Sequence, residues 1–306
     1  MSSIALLFPG QGAQHVGMGK DFAEKIPGAR ALYDHASAVL GYDLAALSFE
    51  GPLEKLTISA HAQPAIFVAS VAAYTALMQK HPGLRPVAMA GLSSGEWTAL
   101  HLAGVLSFED TLKVLEARGR LMQEACEQSP GAMMSVIGAE EAQLRMLCEA
   151  GGAEMANLNS REQTVLSGTR ESIDAAEAKA KELGIRKVIR LNVAGAFHSR
   201  LMKPAADRFA AFLEGMSFAA PSLPVLANVT GAPHAHDGAS IREAMVRQVH
   251  QSVHWYHGIE WMMELGVKHY LECGPGKVLS GLAKRIDKEA LTHSIQELSA
   301  LEALAL

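Results

Sequence analysis

The sequence has few cysteines and no long apolar run. Its three cysteines, Cys126, Cys148 and Cys273, are odd in number, widely spaced and not arranged as C-x-x-C, which argues against a disulfide framework or a thiolate metal site. No apolar run approaches the roughly 20 residues needed to span a bilayer. The N-terminus also lacks a basic segment followed by a long apolar one. We therefore expect a cytoplasmic protein that does not bind membranes.

An excess of basic residues is also missing. The 306 residues contain 27 Lys and Arg against 32 Asp and Glu, a net charge of −5, whereas general nucleic-acid binding calls for cations that neutralise phosphates. Two local clusters of cations are present, which are either solvated surface or a contact for an acidic or phosphate-bearing partner. The clusters are Lys179, Lys181, Arg186, Lys187 and Arg190, and Lys277, Lys284 and Arg285.

The first part of the chain alternates apolar strands with helical patterns, which predicts an α/β fold with a mainly parallel sheet. Pro64 is expected in the first turn of its helix, where proline is tolerated. Ser107, with an acid three residues later, predicts a helix N-cap. The predicted strands are 3–8 and 87–90, and the predicted helices are 21–40, 63–80, 95–102 and 107–126.

From residue 128 the rhythm changes to β-α-β-β-α-β, the order of a ferredoxin-like unit. Its predicted elements are strand 132–137, helix 140–150, strands 154–159 and 163–166, helix 170–183 and strand 186–193. We therefore expect residues 128–195 to form a small ferredoxin-like domain. It would be inserted into a large α/β-hydrolase-like domain with a short parallel sheet, made of residues 1–127 and 196–306.

The large domain is predicted to resume after the insertion with further helices and strands. The expected elements are helix 199–215, strand 223–229, helices 241–249 and 255–265, strand 268–272, and a final helix 277–285. The Ala- and Leu-rich tail after Asp287 is expected to pack as a loose helix.

The chain is organised around Gly91-Leu92-Ser93-Ser94-Gly95, a G-x-S-x-G pattern between a strand and a helix. In such a turn the two glycines remove side chains that would clash, and the serine oxygen stands clear of the sheet as a nucleophile. The helix start aims backbone N–H groups, that of Ser94 among them, at a developing oxyanion. The pattern is short, and a plain strand-to-helix turn is the competing interpretation.

A nucleophilic serine needs a base, and the sequence offers 13 histidines. His198 is the best placed, because it follows the last strand of the inserted unit, where two domains would form a cleft. His250, His254 and His257 have a spacing that could share a helix face and bind a metal. No acidic residue lies in a matching register, so we expect no metal site.

Seven motifs, in order, resemble those of the malonyl-CoA:acyl carrier protein transacylases, over nearly the whole chain to about residue 287. They are Phe8-Pro9-Gly10-Gln11-Gly12, Gln63-Pro64-Ala65, the Ser93 turn, Arg118-Gly119-Arg120-Leu121-Met122-Gln123, Phe197-His198-Ser199, Val246-Arg247-Gln248-Val249 and Gly274-Pro275-Gly276-Lys277. Members of that family also carry an inserted ferredoxin-like unit, which agrees with the pattern of strands and helices.

The resemblance implies a ping-pong transfer of malonyl from malonyl-CoA to the phosphopantetheine thiol of an acyl carrier protein, in fatty acid synthesis and without a cofactor. It implies that Ser93 is the nucleophile, His198 the general base and then acid, and Gln248 the residue that orients His198. The implied oxyanion hole consists of the N–H groups of Gln11 and Ser94. The implied substrate-binding residues are Arg118, which pairs with the malonyl carboxylate, and Met122, Phe197 and Gln63.

Two residues depart from the family pattern. Leu92 stands where the family usually has His, and Ser94 where it has a bulky aliphatic residue or Gln, which predicts a less restricted pocket. Phe197 resembles the malonyl-selecting form of its motif, so we expect malonyl to be preferred over methylmalonyl. The family also implies a monomer. Its acidic carrier partners make the two cation clusters candidate docking faces.

Three other functions remain open on the sequence. The chain could be a discrete acyltransferase supplying polyketide synthesis or malonate decarboxylation, which uses the same chemistry. It could be a hydrolase that clears carrier proteins, although Arg118 argues against uncharged acyl groups. It could also be an inactive scaffold, which the retained Ser93, His198, Gln248 and Arg118 argue against.

Overall fold

The computed structural model describes residues 3–305 and has an α/β architecture with a parallel sheet. The outermost residues of the predicted large domain, 1, 2 and 306, lie outside the described residues. The strands are β1 Ser3–Phe8, β2 Ala88–Gly91, β3 Gly131–Ile137, β4 Glu154–Ser160, β5 Gln163–Thr169, β6 Lys187–Arg190, β7 Leu226–Ala227, β8 Ala232–Pro233, β9 Val267–Cys273 and β10 Leu291–Ile295.

The helices of the described residues cover both faces of the parallel sheet and one face of a second sheet. A single 3-10 turn, Arg200–Met202, precedes α10. The α-helices are α1 Lys20–Lys25, α2 Pro27–Leu40, α3 Leu44–Glu50, α4 Leu53–Thr57, α5 Ser59–Lys80, α6 Gly95–Leu102, α7 Phe108–Gln128, α8 Glu141–Gly151, α9 Arg170–Glu182, α10 Lys203–Leu213, α11 Gly238–Gln248, α12 Trp255–Glu264, α13 Val278–Ile286 and α14 Leu298–Glu302. Within residues 3–305, no helix has the length and apolar character to cross a bilayer.

The parallel sheet has the strand order β10-β9-β1-β2 and is buried on both faces. Successive side chains of a strand point to opposite faces. Leu6 and Phe8 accordingly pack in the core cluster that contains α5 and α7 residues, whereas Ala5 and Leu7 pack in the cluster that contains α12 and α13 residues. This two-sided burial explains why β1 is a continuous apolar run rather than an alternating one.

The second sheet is antiparallel, with the strand order β4-β5-β3-β6. Helices α8 and α9 cover one face and enclose a separate core cluster, which includes Met134, Leu147 and Ile173. Strand β4 is joined to the chain ahead of α12, because Leu158 N–H donates to the Val253 carbonyl and Val253 N–H donates to the Ala156 carbonyl, each at 2.8 Å. These bonds fix one sheet relative to the other.

Several predicted boundaries are wrong for identifiable reasons. The predicted helix 21–40 is two helices, because Ile26 precedes a proline and adopts an extended conformation. Helix α5 begins at Ser59, so Pro64 lies inside the helix and not in its first turn. Helices α3 and α4 lie between the predicted helices 21–40 and 63–80, where no element was predicted. The predicted strands 186–193 and 223–229 are reduced to β6 and β7.

The tail is also different from the prediction. Residues 291–295 form β10, a parallel edge strand beside β9, and only α14 beyond it is helical. The polar residues Thr292, His293 and Ser294 hide this strand in the sequence, because they are only half-buried at the sheet edge and the segment lacks the apolar run of a central parallel strand. Lys80 then fixes the chain end by donating hydrogen bonds to the carbonyls of Leu301 and Glu302 at 2.6 and 2.8 Å.

Candidate active site

Ser93 lies in a left-handed turn between β2 and α6. Its φ is 53°, and a Cβ at Gly91 would meet the carbonyl carbon of Gly95 at 2.0 Å, so the turn requires glycine there. The Asn228 side chain forms hydrogen bonds with the residues on both sides of the turn. Its Oδ1 accepts the Ser93 N–H at 2.7 Å and its Nδ2 donates to the Gly91 carbonyl at 2.8 Å. The serine hydroxyl is thereby held at the edge of the parallel sheet.

His198 contacts the serine hydroxyl directly. Its Nε2 lies 2.8 Å from Ser93 Oγ, and its Nδ1 lies 2.8 Å from the Gln248 carbonyl oxygen. Because a carbonyl only accepts, Nδ1 carries the proton and Nε2 is free to accept the serine proton. Burial and the nearby Arg118 guanidinium lower the pKa of His198 to about 4. The ring is therefore neutral at neutral pH, the state that a general base requires.

Arg118 is 1% exposed and reaches the site from α7. Its Nη2 donates to Ser93 Oγ at 3.1 Å and to Gln248 Oε1 at 2.9 Å, and its Nη1 donates to Gln63 Oε1 at 2.8 Å. Burial lowers the pKa of Arg118 to about 10, and the Glu96 carboxylate opposes that shift. The guanidinium is thus a fixed cation beside the nucleophile at neutral pH.

Gln248 joins these groups through both its backbone and its side chain. The backbone carbonyl holds His198, and the side-chain Nε2 donates to the Ser93 carbonyl at 2.8 Å and to Glu96 Oε2 at 2.7 Å. With a cation at Oε1 and an anion at Nε2, the orientation of the amide is determined. The sequence anticipated a contact between Gln248 and His198 but not that the backbone makes it.

Two backbone N–H groups, those of Gln11 and Ser94, were predicted to form an oxyanion hole. In the structure Gln11 N–H donates to Ser94 Oγ at 3.1 Å, while Ser94 N–H donates to no acceptor within residues 3–305. The Gln11 side chain is held by Ser59 Oγ at 2.9 Å and by Gln63 Nε2 at 3.1 Å. Ser94 is 3% exposed, and its side chain does not line the cavity.

A cavity of about 510 Å³ opens beside Ser93 and His198. Its walls come from the loops after β1 and β2, from α4 and α7, from the antiparallel sheet and from residues 191–198. Of the predicted substrate residues, Arg118, Met122 and Phe197 line the cavity, whereas Gln63 lies behind Arg118. The other residues on the walls include Gly10, Gln11, Leu92, Met133, Asn157, Val165 and Leu191.

Two buried polar residues at the site, Asn228 and Glu96, were not predicted from the sequence. Glu96 is 1% exposed and accepts hydrogen bonds from Gln248 and Asn228. The sequence feature that indicates Glu96 is its position as a charged residue at the start of an otherwise apolar helix, because an acid buried there needs hydrogen-bond donors. Asn228 gave no such signal, because asparagine is common in loops.

The first predicted cation cluster is partly neutralised. Arg190 pairs with Asp174 at 2.5 Å and with Glu177 at 2.6 Å, and Lys179 pairs with Glu182 at 2.7 Å. In the second cluster Lys284 and Arg285 donate hydrogen bonds to the uncharged oxygens of the Ala290 carbonyl and the Gln163 side chain. No group of three potential metal ligands occurs within the described part of the chain.

A serine hydroxyl held by a neutral histidine, with a cavity and a buried cation beside it on an α/β frame, is the arrangement of enzymes that transfer acyl groups through a serine ester. The family model described as "Acyl transferase domain" matches residues 5–301. The chain is 41% identical to the malonyl CoA-acyl carrier protein transacylase of Escherichia coli K12, over 99% of both chains. It is 38% identical to that of Bacillus subtilis strain 168, over 99% of this chain and 96% of the relative. It belongs to this acyltransferase family, the malonyl CoA-acyl carrier protein transacylases.

Solved structures agree with the sequence relatives. The Coxiella burnetii malonyl CoA-acyl carrier protein transacylase is 39% identical with a TM-score of 0.93, over 98% of this chain and 96% of that one. The malonyl-transacylase of the complex PlMCAT:AntF, solved with a type II polyketide acyl-carrier protein, is also 39% identical, with a TM-score of 0.94 over 98% of both chains.

Proposed function

We propose that this chain moves a malonyl group from malonyl-CoA to the phosphopantetheine thiol of an acyl carrier protein, in fatty acid synthesis. The observation that carries the proposal is the buried Arg118 guanidinium, 3.1 Å from the nucleophile Ser93 Oγ and on the wall of the cavity. A planar, permanently charged fork at this point suits the carboxylate of a malonyl thioester. Its Nε–H, buried and without an acceptor among the described residues, is a further donor for an anion.

In the first half-reaction Ser93 Oγ attacks the thioester carbonyl while His198 Nε2 takes the serine proton. The oxyanion that forms accepts hydrogen bonds from the N–H groups of Gln11 and Ser94. Gln11 N–H already bonds Ser94 Oγ, so the oxyanion shares or displaces that contact, whereas Ser94 N–H is free to donate. When the intermediate collapses, His198 returns its proton to the leaving sulfur of CoA and a malonyl-serine ester remains.

In the second half-reaction the carrier thiol repeats these steps in reverse. It gives its proton to His198 Nε2, attacks the ester carbonyl and leaves as a malonyl thioester, and Ser93 Oγ regains the proton. The Gln248 carbonyl, 2.8 Å from His198 Nδ1, stabilises the transient imidazolium in place of an acidic third residue. The two substrates balance the reaction, so the cycle calls for no metal or cofactor.

The walls of the cavity favour malonyl over a branched analogue. Phe197 and Met122 line the cavity together with Leu92, which stands where a histidine is usual in the family. Bulky apolar side chains close to Ser93 leave little room for an α-methyl group. The missing histidine removes a polar group but leaves the 2.8 Å contact between Ser93 and His198 in place.

The finer features of the architecture belong to the same proposal. We infer that residues 128–195 are an inserted ferredoxin-like domain, supported by the sheet order β4-β5-β3-β6 and by its own core cluster, and that the rest is the α/β-hydrolase-like catalytic domain. The enzyme acts as a monomer in the cytoplasm. The carrier docks near α13, because the cations there are less neutralised by neighbouring acids than those near Arg190.

The test is the intact mass of the protein after brief incubation with malonyl-CoA, methylmalonyl-CoA or acetyl-CoA, followed by a phosphopantetheinylated carrier. A malonyl adduct on Ser93 that moves to the carrier is the expected result, and Ser93→Ala should form no adduct. An adduct lost to water without gain on the carrier would instead identify a hydrolase, and an adduct in the Ser93→Ala variant would exclude Ser93 as the nucleophile.

A further inference from the structure

A buried carboxylate lies directly behind the nucleophile turn. The Glu96 side chain is 1% exposed, and both of its oxygens are used. Oε2 accepts hydrogen bonds from Gln248 Nε2 at 2.7 Å and from the Asn228 N–H at 3.2 Å, whereas the acceptor contact of Oε1 is with His234 Nε2 at 2.7 Å. A buried charge is costly unless each oxygen has a donor, so these three contacts are what make Glu96 tolerable there.

Two of the three partners hold groups that react or bind. Asn228 fixes both sides of the Ser93 turn with its side chain. Gln248 presents its Oε1 to Arg118 because its Nε2 faces Glu96. Glu96 Oε2 is therefore the one acceptor shared by the residue that shapes the nucleophile turn and the residue that orients the cation.

The third partner, His234, is the unexplained one. Its side chain is also 1% exposed, it follows β8, and it does not line the cavity. Its backbone N–H donates to the Val225 carbonyl at 2.8 Å, and Val225 forms a bridge to Met89 of β2. The backbone of His234 is thus linked through Val225 to β2, the strand that leads into the Ser93 turn, although His234 is far from Glu96 in sequence.

We propose that His234 is a positioning residue for acyl transfer that acts through Glu96. Its Nε2–H is the hydrogen-bond donor to Glu96 Oε1, and that bond fixes the rotation of the carboxylate. The fixed carboxylate keeps Oε2 in contact with the Asn228 N–H and with Gln248 Nε2. The Ser93 turn therefore stays aligned with His198, and the Arg118 guanidinium keeps its position beside Ser93 Oγ. The proposal deepens the proposed function, on which its description of acyl transfer rests.

The loss of the histidine has a defined consequence. Without Nε2–H, Glu96 Oε1 has no donor in a buried position, and the carboxylate turns toward other donors. Gln248 Nε2 then loses its acceptor, and the amide can reverse and present N–H groups to Arg118. Ser93 is left misaligned with His198 and Arg118 loses one of its acceptors, while the apolar walls of the cavity are unchanged. The chemical step should therefore slow more than substrate binding weakens.

The experiment compares His234→Leu, which removes the donor, with His234→Gln, whose amide N–H reaches the position of Nε2. The matched control is His236→Leu, at an exposed histidine two residues away. Each protein is assayed for the single-turnover rate of malonyl-serine formation, the KM for malonyl-CoA, the melting temperature and the rate of Ser93 labelling by a fluorophosphonate. The labelling needs an aligned nucleophile but no malonyl group.

His234→Leu should slow both acylation and labelling by about 10-fold or more, because the lost donor misaligns Ser93, and it should raise KM by a smaller factor. His234→Gln should restore most of the rate, and His236→Leu should behave as the native protein. If His234→Leu is too unstable to assay, His234→Asn replaces it, because its amide stops short of Glu96 and should be equally slow.

Two results would overturn the proposal. One is a native rate in His234→Leu, and the other is a His234→Gln variant as slow as His234→Leu although its melting temperature is native. A failure of the proposed function gives a different pattern. The native protein would then form no malonyl-serine, while the labelling rates would still rank the variants as described.

Discussion

Replacement of Arg118 by Ala tests the substrate class most directly. In the structure the guanidinium has three protein acceptors, Ser93 Oγ, Gln248 Oε1 and Gln63 Oε1, and a malonyl carboxylate would be bound by the same cation. A hydrogen bond to a charged group contributes about 1.5–3 kcal/mol, equivalent to roughly a 10- to 150-fold change in rate. We expect kcat/KM for malonyl-CoA to fall by that factor beyond any loss for acetyl-CoA.

The comparison with acetyl-CoA is essential, because the substitution also leaves Gln248 Oε1 and Gln63 Oε1 without a donor and disturbs Ser93. That damage affects both substrates, so only the change in the malonyl-to-acetyl ratio reports on the carboxylate. The assay is the rate of acyl-serine formation with each thioester, measured by quenched-flow mass spectrometry. Arg120→Ala is the control, since Arg120 lies on the same helix but pairs with Glu116 and Glu124 in solvent. Equal losses on both thioesters would refute the role of Arg118.

Two further predictions concern pH and packing. Because His198 must be neutral to act as a base and its pKa is lowered to about 4, kcat/KM should fall only as the pH drops well below 6.5. In Arg118→Ala the nearby cation is gone, so the fall should move to higher pH. A midpoint near 6.5 in the native enzyme would contradict the effect of burial on this pKa. Gly119→Ala should lower the free energy of unfolding by about 1–3 kcal/mol in denaturant titrations, because its Cβ would lie 2.3 Å from the Ser59 carbonyl oxygen. The control is Gly281→Ala, which has open space around it and should not destabilise the protein. A native value for Gly119→Ala would mean that α5 and α7 are further apart than described.

The sequence predicted those elements that local rules determine. The Ser107 side chain accepts the Asp110 N–H, as the N-cap pattern implied, and α6 runs over the residues expected from the glycine that begins it. The tail was misread because β10 is defined by pairing with β9, a contact made with residues about 20 positions earlier that no local pattern records. Pro64 was predicted in the first turn because proline usually lies near the start of a helix, but tertiary packing lets α5 begin earlier, at Ser59.

The site was predictable to the extent that motifs carry it. The spacing around Ser93 and the junction at His198 identified the pair that the structure brings to 2.8 Å. The function of the Gln248 backbone carbonyl could not be read from a side-chain pattern, since every residue has that group. His234 and Glu96 are 138 positions apart, and nothing in either local sequence indicates that they meet.

The left-handed backbone at the two reacting residues has a consequence for engineering. Ser93 and His198, with φ of 53° and 55°, are the non-glycine residues with positive φ within residues 3–305. Such conformations cost of order 1–3 kcal/mol each, and glycine removes most of that cost. A library selected for heat resistance alone would therefore tend to enrich glycine at Ser93 and discard catalysis, whereas at His198, which is 4% exposed, the cavity left by glycine would offset the gain. Any directed evolution of this chain has to score turnover in every round.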